Sequence, residues 1–131
     1  MIAVDTNTLV RYLVKDDPLQ ARRVDALVRQ LDEDQARAYV SDIVLCEIVW
    51  VLSSQYDFKR AEIALALRRL AAARQLRFDS TDNVLRAIGA YEQGKGDFAD
   101  YLIREHAKTA GCISVVTFDK NLYKDGSFVA P

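Results

Sequence analysis

The sequence is poor in the residues that characterise secreted, zinc-binding and membrane proteins. It has two cysteines, Cys46 and Cys112, and a single histidine, too few for a convincing zinc site. Both cysteines stand in apolar segments, so we expect two buried thiols in a reducing compartment. No apolar run approaches the ~18 residues of a membrane helix, and the first residues lack the pattern of a signal peptide. The sequence therefore predicts a soluble, cytoplasmic protein.

An excess of charge of either sign is also missing. The chain has 18 basic and 19 acidic residues and a net charge of −1. These totals do not indicate the basic surface of a typical nucleic-acid-binding protein. Hydrophobic residues make up 50% of the 131 residues and charged residues 28%, an ordinary globular mixture. A chain of this length is expected to form one domain, residues 1–131, that buries roughly two-thirds of its unfolded surface.

Two kinds of apolar stretch alternate along the chain. Short apolar runs predict strands, and longer runs with apolar residues at helical spacing predict helices. The helical segment 43–52 is apolar almost all round, which predicts a buried helix. Trp50 is expected in the core, with a partner-binding surface as the alternative. The predicted strands are residues 2–4, 38–40, 76–78, 112–116 and 127–129, and the predicted helices are residues 8–14, 19–31, 43–52, 59–73, 80–93 and 97–109.

This order of elements predicts the fold class. Strands separated by helices pair in parallel through right-handed crossovers, so we expect an α/β fold. It is a helix-rich, three-layer sandwich around a short, mainly parallel sheet. Ligands of such folds gather beyond the carboxyl ends of the strands. Asp5 and Asp119 each follow a predicted strand, so they are expected to share one rim of the sheet.

Two further parts of the chain carry acids with competing interpretations. Glu47 has apolar neighbours on its stripe of the helix, including Ile43 and Trp50, so burial with a partner and a place on a solvated stripe both stay open. Asp97 and Asp100 stand three residues apart at a helix start, where an N-cap and a first-turn acid are common. Asp119 likewise suits a turn in which its side chain bonds the backbone.

If these acids converge, they require a cation. Carboxylates about 5 Å apart repel by roughly 3 kcal/mol at an effective dielectric constant near 20. A divalent ion at the centre relieves that repulsion, and ligands that are all oxygen select Mg²⁺ or Mn²⁺. A water held by the ion can then attack phosphorus. The acids therefore suggest metal-assisted phosphodiester hydrolysis.

Four motifs in order resemble the PIN-domain family, and more narrowly its VapC ribonuclease toxins. They are Val-Asp-Thr-Asn around residue 5, Glu47 alone in an apolar helix, Asp-Phe-Ala-Asp-Tyr-Leu-Ile from residue 97, and Val-Thr-Phe-Asp ending at residue 119. The resemblance covers the whole chain. It implies a PIN-like fold and a metal-dependent endoribonuclease, the toxin of a type II toxin–antitoxin pair.

The resemblance also implies roles for individual residues. The catalytic, metal-binding cluster is then Asp5, Glu47, Asp100 and Asp119, with Mg²⁺ or Mn²⁺ as cofactor. Thr6, Asn7 and Thr117 are auxiliary residues that flank the acids and orient waters or carboxylates. Asp97 is also auxiliary, either as a helix cap or as an outer ligand of the metal. The implied partners are an RNA substrate, a cognate antitoxin protein and a second copy of the chain. Candidate contacts to RNA phosphates are Arg11, Lys95 and Lys120.

Two other functions remain open from the sequence. A haloacid-dehalogenase-like, Mg²⁺-dependent phosphatase also begins with a strand that ends in aspartate, but its motif has a second aspartate where this chain has Asn7. A PIN-like module that only binds a partner would be expected to have lost one or more acids, and all four are present here.

Overall fold

A computed structural model describes residues 1–131 and confirms the α/β class with short parallel strands. None of the helices combines the length and the apolar character needed to cross a membrane. A short 3-10 helix spans Lys120–Leu122. The strands are β1 Ile2–Ala3, β2 Ala38–Val40, β3 Leu76–Phe78, β4 Val115–Val116 and β5 Phe128–Val129, and the helices are α1 Thr6–Leu13, α2 Pro18–Glu33, α3 Asp42–Gln55, α4 Arg60–Ala72, α5 Thr81–Gln93 and α6 Phe98–Thr109.

The chain divides into two compact units. The first contains residues 1–81 and the second residues 82–131. Each unit has its own sheet, since β1, β2 and β3 form one and β4 and β5 form the other, so Asp5 and Asp119 follow strands of different sheets and not of one sheet as expected. The expectation of a single domain over residues 1–131 stays a prediction.

The sheet of the first unit is parallel, with β2 between β1 and β3. Ile2 pairs with Ala38, and Ala38 pairs with Leu76. Each step between these strands passes through helices, as parallel pairing requires. Since β1 ends at Ala3, Asp5 lies just beyond the carboxyl end of that strand.

Local capping signals set where the helices of the first unit begin. The Asp17 side chain accepts a hydrogen bond from the backbone of Gln20, and Pro18 is the first residue of α2, one residue before the predicted segment 19–31. The Ser41 hydroxyl accepts from the backbone N–H of Val44 and starts α3. Helix α1 packs against α2 and α3, and α3 packs against α4.

Helix α3 is buried on one side only, which corrects the expectation of a fully buried helix. Leu45, Ile48 and Leu52 face the core, with exposed fractions of 1% or less. Ile43 and Trp50 lie on the opposite side and are 72% and 65% exposed. The assignment of Trp50 to the core was therefore wrong. An all-round apolar helix presents more apolar surface than its neighbours α1 and α4 cover.

The second unit combines α5 and α6 with the parallel pair β4 and β5, in which Val115 pairs with Phe128. Its core contains edge-to-face aromatic contacts between Tyr91 and Phe98 and between Tyr101 and Phe128. A buried Arg104 pairs with Glu105 at 2.9 Å and also with Asp125 in the loop before β5.

Strand β4 is shorter than the predicted residues 112–116. Gly111 adopts a left-handed backbone with φ of +92° at the end of α6, the conformation that favours glycine. The Cys112 N–H then bonds the Ala107 carbonyl at 2.9 Å, so Cys112 belongs to the helix end. Cys112 is exposed and Cys46 is half-buried, so the expectation of two buried thiols was wrong.

Candidate functional site

Asp5 caps helix α1. Its Oδ1 atom accepts hydrogen bonds from the Thr8 N–H at 3.0 Å and from the Thr8 hydroxyl at 2.8 Å. These two bonds hold the pKa of Asp5 below its ordinary value, because they favour the ionised carboxylate. Thr6 and Asn7 form the first turn of α1, with Thr6 half-buried and Asn7 exposed. Asp5 is therefore an exposed, charged group at the carboxyl end of β1.

Glu47 lies on the exposed face of α3, near the middle of the helix. The solvated-stripe interpretation is correct, and the argument for its burial was wrong. Its stripe contains Ile43 and Trp50, which are exposed as well. Helix α3 packs against α1, the helix that Asp5 caps.

Asp97 and Asp100 stand at the start of α6, with Asp97 at the N-cap position. The Asp97 N–H donates to Asp100 Oδ2 at 2.9 Å, as in a capping box. Burial, and to a smaller extent the charges of Asp97 and Asp119, raise the pKa of Asp100 despite that hydrogen bond. The Asp100 carboxyl is thus held in an environment that opposes its ionisation.

Asp119 caps the 3-10 helix that follows β4. Its Oδ1 atom accepts from the Asn121 N–H at 2.9 Å, which is the turn interaction foreseen as an alternative. The Thr117 hydroxyl accepts from the Asp119 N–H at 3.0 Å and so fixes the backbone that carries the carboxylate. Tyr123 donates its hydroxyl proton to the Thr117 carbonyl at 2.7 Å and closes the loop.

The three aspartates share one pattern of hydrogen bonding. Each uses one carboxylate oxygen to bind the backbone, namely Oδ1 of Asp5, Oδ2 of Asp100 and Oδ1 of Asp119. The other oxygen of each group has no hydrogen bond within the protein. A structural role as a cap therefore leaves a ligand atom free on every aspartate.

The sequence-predicted site residues fall into two groups, one in each unit. Asp5, Thr6, Asn7 and Glu47 belong to the first unit. Asp97, Asp100, Thr117 and Asp119 belong to the second, where the charges of Asp97 and Asp119 act on Asp100. Within either unit, no three His, Cys, Asp or Glu side chains stand together as a preformed metal site.

The donor atoms nevertheless suit a hard divalent cation. All the available ligands are carboxylate oxygens, which Mg²⁺ and Mn²⁺ prefer. The raised pKa of Asp100, caused by burial and then by neighbouring charge, marks a place where a cation would stabilise the ionised form.

A cleft between α1 and α2 was not found by sequence reasoning. We call it the α1–α2 cleft; its volume is about 390 Å³, and it adjoins Asp5. The sequence indicates Arg11 as a phosphate contact by its charge, but it does not place Gln20 and Arg23 beside Arg11. The spacing of Asn7 and Arg11, four residues apart on one helix face, was the available signal. The residues that line the α1–α2 cleft include Asp5, Arg11, Gln20, Arg23, Val24 and Leu27.

Comparison with known proteins identifies the family. The PIN domain family model matches residues 2–126. The chain is also similar to a VapC ribonuclease of Aquifex aeolicus (strain VF5), with 23% identity over 126 residues. That alignment covers 96% of this chain and 93% of the relative. The family match spans both compact units and every acid discussed above, so the chain belongs to the PIN-domain family.

Proposed function

We propose that this protein is an endoribonuclease that uses Mg²⁺ or Mn²⁺ to hydrolyse RNA phosphodiester bonds. The observation that carries the proposal is the family match over residues 2–126, which includes Asp5, Glu47, Asp100 and Asp119 in the order of the family's acids. The similarity to a protein named as a VapC ribonuclease supports RNA as the substrate. The free oxygen on each of the three aspartates supports their use as ligands.

In this mechanism the four acids serve one reaction. Asp5, Glu47, Asp100 and Asp119 would hold the divalent cation, which would activate a water and neutralise charge on the phosphate oxygens. Asp5 is ionised at neutral pH, since the hydrogen bonds that it accepts from Thr8 lower its pKa. Asp119 is fixed by Thr117 and by its own bond to the backbone. Asp97 holds Asp100 through the 2.9 Å hydrogen bond at the start of α6. No histidine base is required.

The wider assignment follows the same resemblance. We propose that the protein is the toxin of a type II toxin–antitoxin pair, that it acts in the cytoplasm as a homodimer, and that a cognate antitoxin inhibits it. The family match crosses the boundary between the two compact units, which supports one functional domain over residues 1–131. A small open reading frame beside the gene is the expected genomic sign of the antitoxin.

A cleavage assay tests the proposal. Purified protein is incubated with structured RNAs in Mg²⁺ and in EDTA, and products are resolved on a gel. We expect cleavage only with Mg²⁺, and a loss on the order of 100-fold or more in Asp5→Asn, since even outer-shell partners of a metal are worth 10–100-fold. Glu47→Gln should lose cleavage and keep its stability, because Glu47 is exposed and forms no hydrogen bond.

Asp17→Asn is the matched control. Asp17 and Asp5 both cap a helix by accepting a backbone hydrogen bond at 3.0 Å. Asparagine caps about as well as aspartate, so both variants should fold. Only Asp5→Asn should lose activity. Cleavage that persists in Asp5→Asn or in EDTA would refute the proposed site, and formation of a phospho-aspartate would favour the phosphatase instead.

A further inference from the structure

The α1–α2 cleft has the chemistry of an anion site beside Asp5. Arg11 and Arg23 line it, and Val24 and Leu27 contribute an apolar part of its wall. Arg23 is exposed and forms no ion pair in the protein. Two guanidinium groups in one cleft favour an anionic ligand with paired oxygens, such as the two non-bridging oxygens of a phosphodiester.

Arg11 is held in one orientation by three hydrogen bonds. Its Nε donates to Gln20 Oε1 at 2.6 Å, and its Nη1 donates to Asp16 Oδ1 at 3.0 Å and to the Tyr56 hydroxyl at 3.1 Å. The Tyr56 hydroxyl in turn donates to Asp16 Oδ2 at 2.9 Å. The side chain of Arg11 is 26% exposed, so it is restrained by its surroundings as well.

This arrangement leaves part of the guanidinium available. An arginine has five N–H donors. Nε and Nη1 of Arg11 use three of them, while Nη2 has no hydrogen bond within the protein. The bond with Tyr56 is the main reason that the pKa of Arg11 is raised, so its positive charge is retained. A fixed cation with two unused donors can bind a phosphate with little loss of side-chain entropy.

We propose that the α1–α2 cleft binds a backbone phosphate of the RNA substrate, with Arg11 as the principal contact and Arg23 as a second one. Tyr56 and Asp16 are positioning residues, because they act through Arg11. The proposal rests on the proposed function for its choice of RNA, since the cleft adjoins Asp5. An acidic side chain of a protein partner is the competing ligand. It carries a single charge, whereas an RNA backbone has successive phosphates that can also reach the second guanidinium.

Binding measurements test this assignment without requiring cleavage. The probe is a fluorescein-labelled 12-nucleotide RNA of randomised sequence, titrated with the full chain in EDTA and followed by anisotropy at several salt concentrations. Arg11→Gln should raise Kd about tenfold and reduce the slope of log K against log salt by about one. Arg23→Gln, which changes only an exposed side chain, should weaken binding in the same direction.

Tyr56→Phe separates positioning from charge. It removes the hydroxyl that bonds Arg11 and leaves the guanidinium charge in place. We expect Kd to rise about threefold with an unchanged salt slope, since no charge on the protein is lost. Arg37→Gln is the control, because Arg37 is an exposed arginine that lies outside the cleft. It should leave Kd within about twofold.

The outcomes distinguish this inference from the proposed function. Wild-type affinity in both Arg11→Gln and Arg23→Gln would overturn the cleft as an RNA site and favour the protein ligand, even if the wild type cleaves RNA. Weakened binding in both variants, together with no cleavage by the wild type in Mg²⁺, would support the cleft and refute the nuclease. Loss of affinity in Arg37→Gln equal to that in Arg11→Gln would also overturn the inference, since binding would then follow total charge.

Discussion

Two features of the Asp100 environment have opposite effects on its pKa. As the partner of the Asp97 N–H it accepts a hydrogen bond that favours the charged carboxylate. Burial and the neighbouring acids oppose that charge, and their effect is larger, so the pKa of Asp100 is raised above its ordinary 3.8. The folded protein therefore holds the Asp100 proton more tightly than the unfolded chain does.

This raised pKa predicts a pH-dependent gain in stability for Asp100→Asn. Below the unfolded-state pKa of 3.8, the raised pKa of Asp100 does not lower the free energy of unfolding. The loss of stability develops as pH rises through the pKa of the folded state. Asparagine keeps an acceptor for the Asp97 N–H and carries no charge. Because water still reaches the carboxyl, we expect the variant to melt only about 1–2 °C above the wild type at pH 7.

Thermal melts of the wild type and Asp100→Asn without divalent ions, from pH 3 to pH 8, measure the difference in melting temperature. This difference should narrow as pH falls and vanish near pH 3. A variant that melts below the wild type at neutral pH would show that Asp100 acts mainly as a cap. Asp82→Asn, an exposed first-turn acid of α5, serves as the control.

At the scale of elements, the turn between α5 and α6 positions the acids of the second unit. The Gly96 N–H donates to the Tyr101 hydroxyl at 3.1 Å in a buried contact. A Cβ atom at Gly96 would lie 2.4 Å from Leu122 Cδ2 and 3.2 Å from Asp100 Oδ2. The glycine thus allows the backbone to approach the Asp100 carboxylate and the 3-10 helix that follows Asp119.

Gly96→Ala is therefore expected to destabilise the protein by about 1–3 kcal/mol, the usual cost of overpacking, and to reduce cleavage by displacing Asp100. Gly89→Ala is the matched substitution. Gly89 lies inside α5, and a Cβ there would have no atom within 4 Å. It should stabilise the protein by about 0.5–1 kcal/mol. Chemical denaturation of both variants gives the two values, and equal stabilities would contradict the assignment.

Local signals predicted most elements correctly, because they depend on neighbours in the chain. The Asp17–Pro18 start of α2 and strand β2 at Ala38–Val40 are examples. Exposure was harder to predict. The sequence around Trp50 is apolar whether or not another element covers it, and only the tertiary packing of α3 decides which side faces water. Cys112, which was predicted to begin a strand, instead belongs to the end of α6, because its N–H bonds the Ala107 carbonyl.

In the candidate site, too, features that depend on neighbouring residues could be predicted, whereas contacts between residues far apart in the chain could not. Short motifs were enough to select Asp5, Asp100 and Asp119, and the capping alternatives for Asp97 and Asp119 were also recognised. The hydrogen bond that Arg11 donates to the Tyr56 hydroxyl joins residues 45 positions apart, so no local pattern indicated it.

At the scale of the whole molecule, the proposed function draws its four acids from both compact units. If the four acids serve one ion, Mg²⁺ binding stabilises the native protein by mass action, by about 2.7 kcal/mol at 100 times Kd. Asp5→Asn in the first unit and Asp119→Asn in the second should then both abolish the rise in melting temperature caused by Mg²⁺. Asp17→Asn should retain it.

Differential scanning fluorimetry with and without Mg²⁺ measures these shifts. A rise that survives in Asp5→Asn and disappears in Asp119→Asn would mean that the second unit holds the ion alone. Loss of the rise in Asp17→Asn would mean that Mg²⁺ acts on net charge and not at a defined site.

The exposed positions of Trp50 and Cys112 have a practical consequence. Trp50 is the only tryptophan of the chain and lies in the first unit, while Cys112 is an exposed thiol in the second. Burial, followed by the nearby Asp42 carboxylate, raises the pKa of Cys46, which slows its alkylation because the thiolate is the reactive form. A maleimide acceptor dye will therefore label Cys112 first. The wild-type chain thus contains a donor and an acceptor site for resonance energy transfer, which reports the spacing of its two halves as RNA or Mg²⁺ is added.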